Sequence, residues 1–165
     1  MDNFKAFNDR YGFPIGDTAI QAVAEVLVEV VEAQGQPGDF VGHIGGDDFQ
    51  ILTEPERAEA LAESFKDALD LRMPLLYEPE DREQGFVRVR NRRHEFEDFP
   101  LISVTMAVAL YDPQAGTHLA QVDDALRELK QYGKGLPGSV VVTERRRASE
   151  NEHDAHAPVK LKKSA

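Results

Sequence analysis

The 165-residue chain contains no cysteine. Disulfides and thiolate metal centres are therefore excluded, and the redox character of its compartment leaves no trace in the sequence. There is no surplus of positive charge either: 19 Lys and Arg stand against 30 Asp and Glu, a formal net charge of −11. That balance excludes a general nucleic-acid binder, whose affinity comes from neutralised phosphates. An acidic protein can still hold a nucleotide where a divalent metal and a few lysines supply local positive charge. No apolar run approaches the ~20 residues of a membrane-spanning helix. No basic-then-apolar signal segment opens the chain, and no internal repeat is visible. The expectation is a soluble cytoplasmic domain without a membrane segment and without a nucleic-acid partner. What is present is a hydrophobic fraction of 41%, enough for one core in a chain of this length.

The opening "MDNFKAFNDRYGFPIGD" is polar, aromatic and rich in breakers, with Gly12, Pro14 and Gly16, and reads as a loop. A helix is expected after it, capped by Asp17 or Thr18, with Ile20, Val23, Leu27, Val30 and Val31 at helical spacing and an end at Gly35 to Gly38. "DFVGHIGGDDFQILT" reads as a β-hairpin: two short apolar strands around a four-residue Gly/Asp turn. A second helix is expected from about Pro55 to Leu71, with Ala58, Leu61, Phe65 and Leu69 on one face. Residues 84–98 alternate as an extra hairpin turning near Asn91, with Arg88, Arg90 and Arg92 on one face, which reads as solvated or, more speculatively, as a docking surface. "PLISVTMAVALY" suggests a buried central strand. A third helix spans Thr117 to Tyr132, and "SVVVT" at 139–143 is a last strand. The charged stretch 147–165 has almost nothing to bury and is expected to be a disordered tail beside a domain at 1–146. The order suits an α/β (α+β) fold with helices on one mixed or antiparallel sheet. The opening loop leads into a helix with no strand before it, so a strand–loop–helix unit is expected to lack its first strand.

Three constellations can carry chemistry. At the hairpin tip, Gly45 and Gly46 let a ligand approach the backbone, and Asp47 and Asp48 offer hard oxygen ligands suited to Mg²⁺; taken alone, Gly and Asp are also what turns use. In the opening segment, Asn8 and Asp17 can read a purine edge, carboxylate to N–H donors and amide to a carbonyl. Amides around Asn3 and Phe4 can cradle a phosphate; alone, Asp17 is equally a helix cap. Near the end of the last helix, Lys130 and Lys134 are one turn apart and can face phosphates, or can simply complement the helix dipole.

Taken together and in order, "DNFKAFND" with "GD" beyond it, "GGDDF", and the "DDALRELKQYGK" block resemble the GGDEF domain family, the diguanylate cyclases, from Asp2 to about Thr143. The resemblance implies a palm-like βαββαβ core. It also implies condensation of two GTP to cyclic di-GMP and pyrophosphate, with Mg²⁺ (Mn²⁺ able to substitute), across a homodimer controlled by an N-terminal sensory or receiver domain absent from this chain. It places Asn8 and Asp17 on the guanine, and Lys5 with the Asn3 and Phe4 amides on the phosphates. Gly45 and Gly46 fall against the nucleotide, Asp47 and Asp48 at the metal and the attacking hydroxyl, and Lys130 and Lys134 on the phosphates.

The departures from the family pattern are specific. Met1 and Asp2 occupy the second and third places of an Asp–x–Asp whose first Asp binds metal, so that Asp has no counterpart. Asp48 replaces Glu, Lys134 replaces Arg and loses its bidentate fork, Phe13 replaces a common His, and His43 replaces Arg. The feedback site Arg–x–x–Asp reads "QPGD", with Asp39 kept and Gln36 in place of Arg, so feedback binding is not implied. The expectation is a cyclase domain truncated at its N-terminus, weakly active or inactive as given. The alternative is a degenerate domain that binds GTP or partners without turnover.

Overall fold

The computed structural model describes residues 1–90, 93–114 and 116–144. It divides into two compact units, Met1–Val104 and the part from Thr105 onward. The architecture is mixed α/β, with helices and strands alternating and the sheets open. The strands associate in three pairs rather than in one continuous sheet. No strand precedes the first helix among the described residues; instead Asp2 makes an isolated antiparallel bridge to Ser103, its N–H donating to the Ser103 carbonyl at 2.8 Å.

The opening segment is helical where a loop was expected. Helix α1 is Phe4–Tyr11 and helix α2 is Phe13–Gln34, joined at Gly12 with φ 85°. The breakers punctuate these helices without preventing them. Pro14 lies in the first turn of α2, where a missing N–H leaves no bond unmade. Gly12 supplies the positive φ that turns α1 into α2. Asp17 is therefore an exposed residue inside α2 and not its cap. The two helices bury Ala6 and Phe7 together with Ala19, Ala22, Val23, Val26, Leu27 and Val30.

Strands β1 (Phe40–Gly45) and β2 (Asp48–Leu52) form the expected antiparallel hairpin, with an irregularity between His43 and Gly45. Asp48 already belongs to β2, so the tip is tighter than a four-residue turn. Helix α3 (Pro55–Arg72) buries Leu61, Ala62, Phe65 and Leu69 as its spacing predicts. A 3-10 turn, Met73–Leu76, and a short helix α4, Pro79–Gln84, follow. Strands β3 (Phe86–Arg90) and β4 (Phe96–Pro100) are the extra hairpin. Val87 and Val89 face the core while Arg88 and Arg90 are exposed; Asn91, Arg92 and the 147–165 tail lie outside the described residues.

The run expected as one long central strand is divided. Ile102 and Val104 are buried, but only Thr105–Val108 is strand, here β5. The earlier part is held otherwise: the Ile102 N–H donates to the Tyr77 hydroxyl at 2.7 Å, and Ser103 is occupied by Asp2.

In the second unit, β5 runs parallel to β6 (Val140–Thr143), with helix α5 (Leu119–Gly133) in the connection. A parallel pair requires such a crossover. Leu129 and Gly133 are the buried positions of α5. Gly133 lies so close to the strands that a Cβ there would come 2.4 Å from Thr105 Cγ2 and 3.2 Å from Val142 Cγ2.

One buried polar cluster fixes α1 to α4. Asp81, 3% exposed, is the buried charged residue among those described. Arg10 Nε donates to its Oδ2 at 2.8 Å, the Tyr11 hydroxyl donates to the same oxygen, and Gln84 Nε2 donates to Oδ1 at 2.9 Å. The rings of Phe7, Tyr11 and Tyr77 pack together beside it, with centroids 4.9 to 5.6 Å apart. Burial pushes the Asp81 carboxyl up, but the bonds from Arg10 and Tyr11 outweigh it and leave the group below the usual carboxylate value. Burial and the bond to Asp81 push the Tyr11 hydroxyl up to about 12, so it remains a donor at neutral pH. A depressed carboxylate stabilises the fold above its unfolded value, and that contribution is lost as pH falls through the folded one. Asp81→Asn is expected to cost about 2 kcal/mol at pH 7. The gap from the parent should narrow as pH falls below about 4, in urea titrations run at several pH values.

Candidate functional site

The hairpin tip is built for close approach. Gly45 has φ 148° and Gly46 φ 58°, and no atom lies within 4 Å of where a Cβ would stand at either. The His43 ring Nε2 donates to the Gly46 carbonyl at 2.9 Å and stacks on Phe49, centroids 4.6 Å apart. His43 thus braces the turn, a role its position in the sequence did not reveal. Asp47 is half-buried and Asp48 exposed.

The first residue, three positions before α1, lies against this tip. The Met1 amino group is 2.9 Å from Asp47 Oδ2 and 3.3 Å from the Asp47 carbonyl. Asn3, two residues on, is left-handed (φ 59°, ψ 10°) and makes no side-chain cap. The first N–H groups of a helix have no intrahelical partner, and here they stand uncapped at the positive end of the helix dipole, an anion-binding arrangement. Lys5 is exposed and paired to Asp9 at 2.6 Å, one turn along α1. Such a surface pair is worth little, so it leaves Lys5 available to a stronger anion.

Asn8 and Asp17 are joined through Gly16. A Cβ on Gly16 would stand 1.8 Å from Asn8 Oδ1, so the amide of α1 rests directly on the backbone of α2 next to Asp17. Asn8 Oδ1 is buried without a hydrogen-bond partner. Buried polar atoms are normally satisfied; with Oδ1 turned onto α2, the Nδ2 group is the part of this amide that can donate to a carbonyl.

The family described as "Diguanylate cyclase, GGDEF domain" matches residues 1–88. The chain belongs to the GGDEF family. Among curated relatives, the bifunctional diguanylate cyclase/cyclic di-GMP phosphodiesterase MucR of Pseudomonas aeruginosa is 31% identical over 137 residues, 81% of this chain and 17% of its own. The probable diguanylate cyclase DgcT of Escherichia coli is 33% identical over 73 residues, 42% of this chain and 15% of its own. Diguanylate cyclase TpbB of P. aeruginosa is 29% identical over 124 residues, 75% and 24%. The GGDEF chain thus spans a quarter or less of the length of these relatives. No solved structure matches it at comparable significance.

Within this GGDEF domain the remaining expected residues are placed as follows. Lys130 is half-buried in α5 and Lys134 is exposed at its C-cap, both in the second unit. Asp39 Oδ2 accepts from the Gln36 N–H and from Arg57 Nη1, each at 2.9 Å, so this carboxylate is already engaged within the fold. Arg88 forms a bidentate pair with Asp98 at 2.6 and 2.7 Å, and Arg90 lies 5.1 Å over the Phe96 ring; both arginines of β3 are committed inside the hairpin. Among the described residues no three His, Asp or Glu side chains group to hold a metal. Carboxylate oxygens are the donor type that Mg²⁺ takes, commonly one or two together with substrate phosphates.

Proposed function

We propose that residues 1–146 form a nucleotide-handling domain of the diguanylate cyclase type, which binds GTP with Mg²⁺ and condenses two GTP to cyclic di-GMP in a pair of copies. In this reading Asp17 and Asn8 hydrogen-bond the guanine edge. The Asn3 and Phe4 amides and Lys5 take the phosphates. Gly45 and Gly46 keep side chains out of the nucleotide's way. Asp47 and Asp48 would hold Mg²⁺, which neutralises phosphate charge when bound. The carboxylates also help take the proton from the attacking 3′-hydroxyl. Each 3′-oxygen forms a bond to the α-phosphorus of the other GTP, and the bond to pyrophosphate breaks. Positioning supplies most of the catalysis in such transfers. A sensory or receiver domain elsewhere in a longer protein would control the pairing.

The observation that supports the reading is the seat of the Asn8 amide against Gly16, the residue before the exposed Asp17, which brings together the two groups assigned to the guanine edge. A second reading, GTP binding without turnover, is favoured by the absence of a third clustered metal ligand among the described residues. Titrating the chain with GTP and ATP, with and without Mg²⁺, and assaying cyclic di-GMP by chromatography separates these readings. The expected result is Mg²⁺-dependent binding with GTP preferred over ATP by at least about tenfold, and slow turnover. Binding with no product favours the second reading, and equal affinity for the two nucleotides would overturn both.

A further inference from the structure

The Asp81 cluster lies outside the proposed nucleotide site, yet it grips the helix that bears half of it. Arg10 and Tyr11 follow Asn8 by two and three residues on α1, and both donate to one buried carboxylate oxygen of α4. Phe7, fully buried, packs at a tilt against Tyr11 and edge-to-face against Tyr77. At the other end of α1, Asn3 is left-handed without a cap, and the turn beyond Tyr11 is a glycine at φ 85°. Neither end therefore fixes the helix by itself. An eight-residue helix is too short to be stable alone, so its orientation depends on what its C-terminal turn is tied to.

We propose that Asp81 is a positioning residue for nucleotide recognition: by clamping Arg10 and Tyr11 it holds α1 so that Asn8 stays seated against Gly16, next to Asp17. The proposal rests on the GTP reading above. It assigns a recognition role to α4, whose sequence "PEDREQ" looks like an ordinary solvated turn.

The test uses the 165-residue chain, its Asp81→Asn variant, and Tyr11→Phe, which keeps the ring packing and removes one donor. Two quantities are read well below the unfolding transition: amide exchange along α1 compared with α3, and affinity for Mg²⁺·GTP and Mg²⁺·ATP. In Asp81→Asn, exchange in α1 should rise at least about tenfold with α3 unchanged. GTP affinity should fall about tenfold, with a smaller preference over ATP. Tyr11→Phe should lie between this variant and the parent, and it answers the question if Asp81→Asn does not fold. Unchanged α1 exchange and GTP affinity in a folded variant would overturn the proposal. If the parent fails to prefer GTP, the nucleotide reading falls and the recognition role falls with it, while the exchange data still report whether the clamp holds α1.

Discussion

Asp47→Ala combined with Asp48→Ala is expected to abolish Mg²⁺-dependent GTP binding and any cyclic di-GMP formation while leaving the fold standing. Even groups that only orient a metal ligand cost 10- to 100-fold in affinity when removed, so losing both carboxylates should exceed about 100-fold. The structural cost is small. Asp47 gives up its contact with the Met1 amino group, worth about 1 kcal/mol or less. Neither aspartate has positive φ, so alanine meets no backbone strain. Asp48 is exposed at the start of β2, where substitutions change stability by about 0.5 kcal/mol or less. Calorimetric titration with Mg²⁺·GTP and a thermal melt of the same sample report the two outcomes separately. Parental affinity in a folded double variant would remove the hairpin from the site.

Gly16→Ala is expected to damage guanine recognition while nominally improving a helix. Alanine gains up to about 1 kcal/mol over glycine in a helix interior. Here the new methyl would overlap Asn8 Oδ1 at 1.8 Å, so the amide must rotate away or α1 must lift from α2. Overpacking of this kind costs about 1–3 kcal/mol, which leaves stability near or modestly below the parent. Recognition is affected more, because hydrogen bonds that read a base edge are worth ~1–3 kcal/mol. The preference for GTP over ATP should therefore drop by roughly tenfold or more, measured by competition binding, with general Mg²⁺·nucleotide affinity falling less. Retention of the full preference would mean that Asn8 does not read the base from where it sits.

Much of the fold was legible because hydrophobic period and turn chemistry agreed. The β1–β2 hairpin, α3, α5, β6 and the extra β3–β4 hairpin lie within a few residues of expectation. The failures have local causes. Gly12, Pro14 and Gly16 are strong loop signals, yet one turns the chain between helices, one lies in a first helical turn, and one makes room for a neighbouring amide. The apolar run ending in Tyr111 promised a long strand, but tertiary bonds to Tyr77 and Asp2 occupy its first part. At the site, Gly45, Gly46, Asp47 and Asp48 could be singled out from the residues. Asn8 and Asp17 could also be singled out as groups able to read a purine edge, but the mediating Gly16 was not anticipated. Asp81 was invisible, since nothing in "PEDREQ" distinguishes a buried carboxylate from its exposed neighbours until the aromatic trio folds over it.

The tight seat of Gly133 against Thr105 and Val142 also sets the roll of α5 about its own axis. Successive helical residues are 100° apart, so turning the helix by a single position would drive a side chain into the strands at a spot that accommodates only hydrogen. The α5 cylinder is thereby keyed like a shaft in a slot. The azimuth at which Lys130 leaves it is dictated by a residue with no side chain at all.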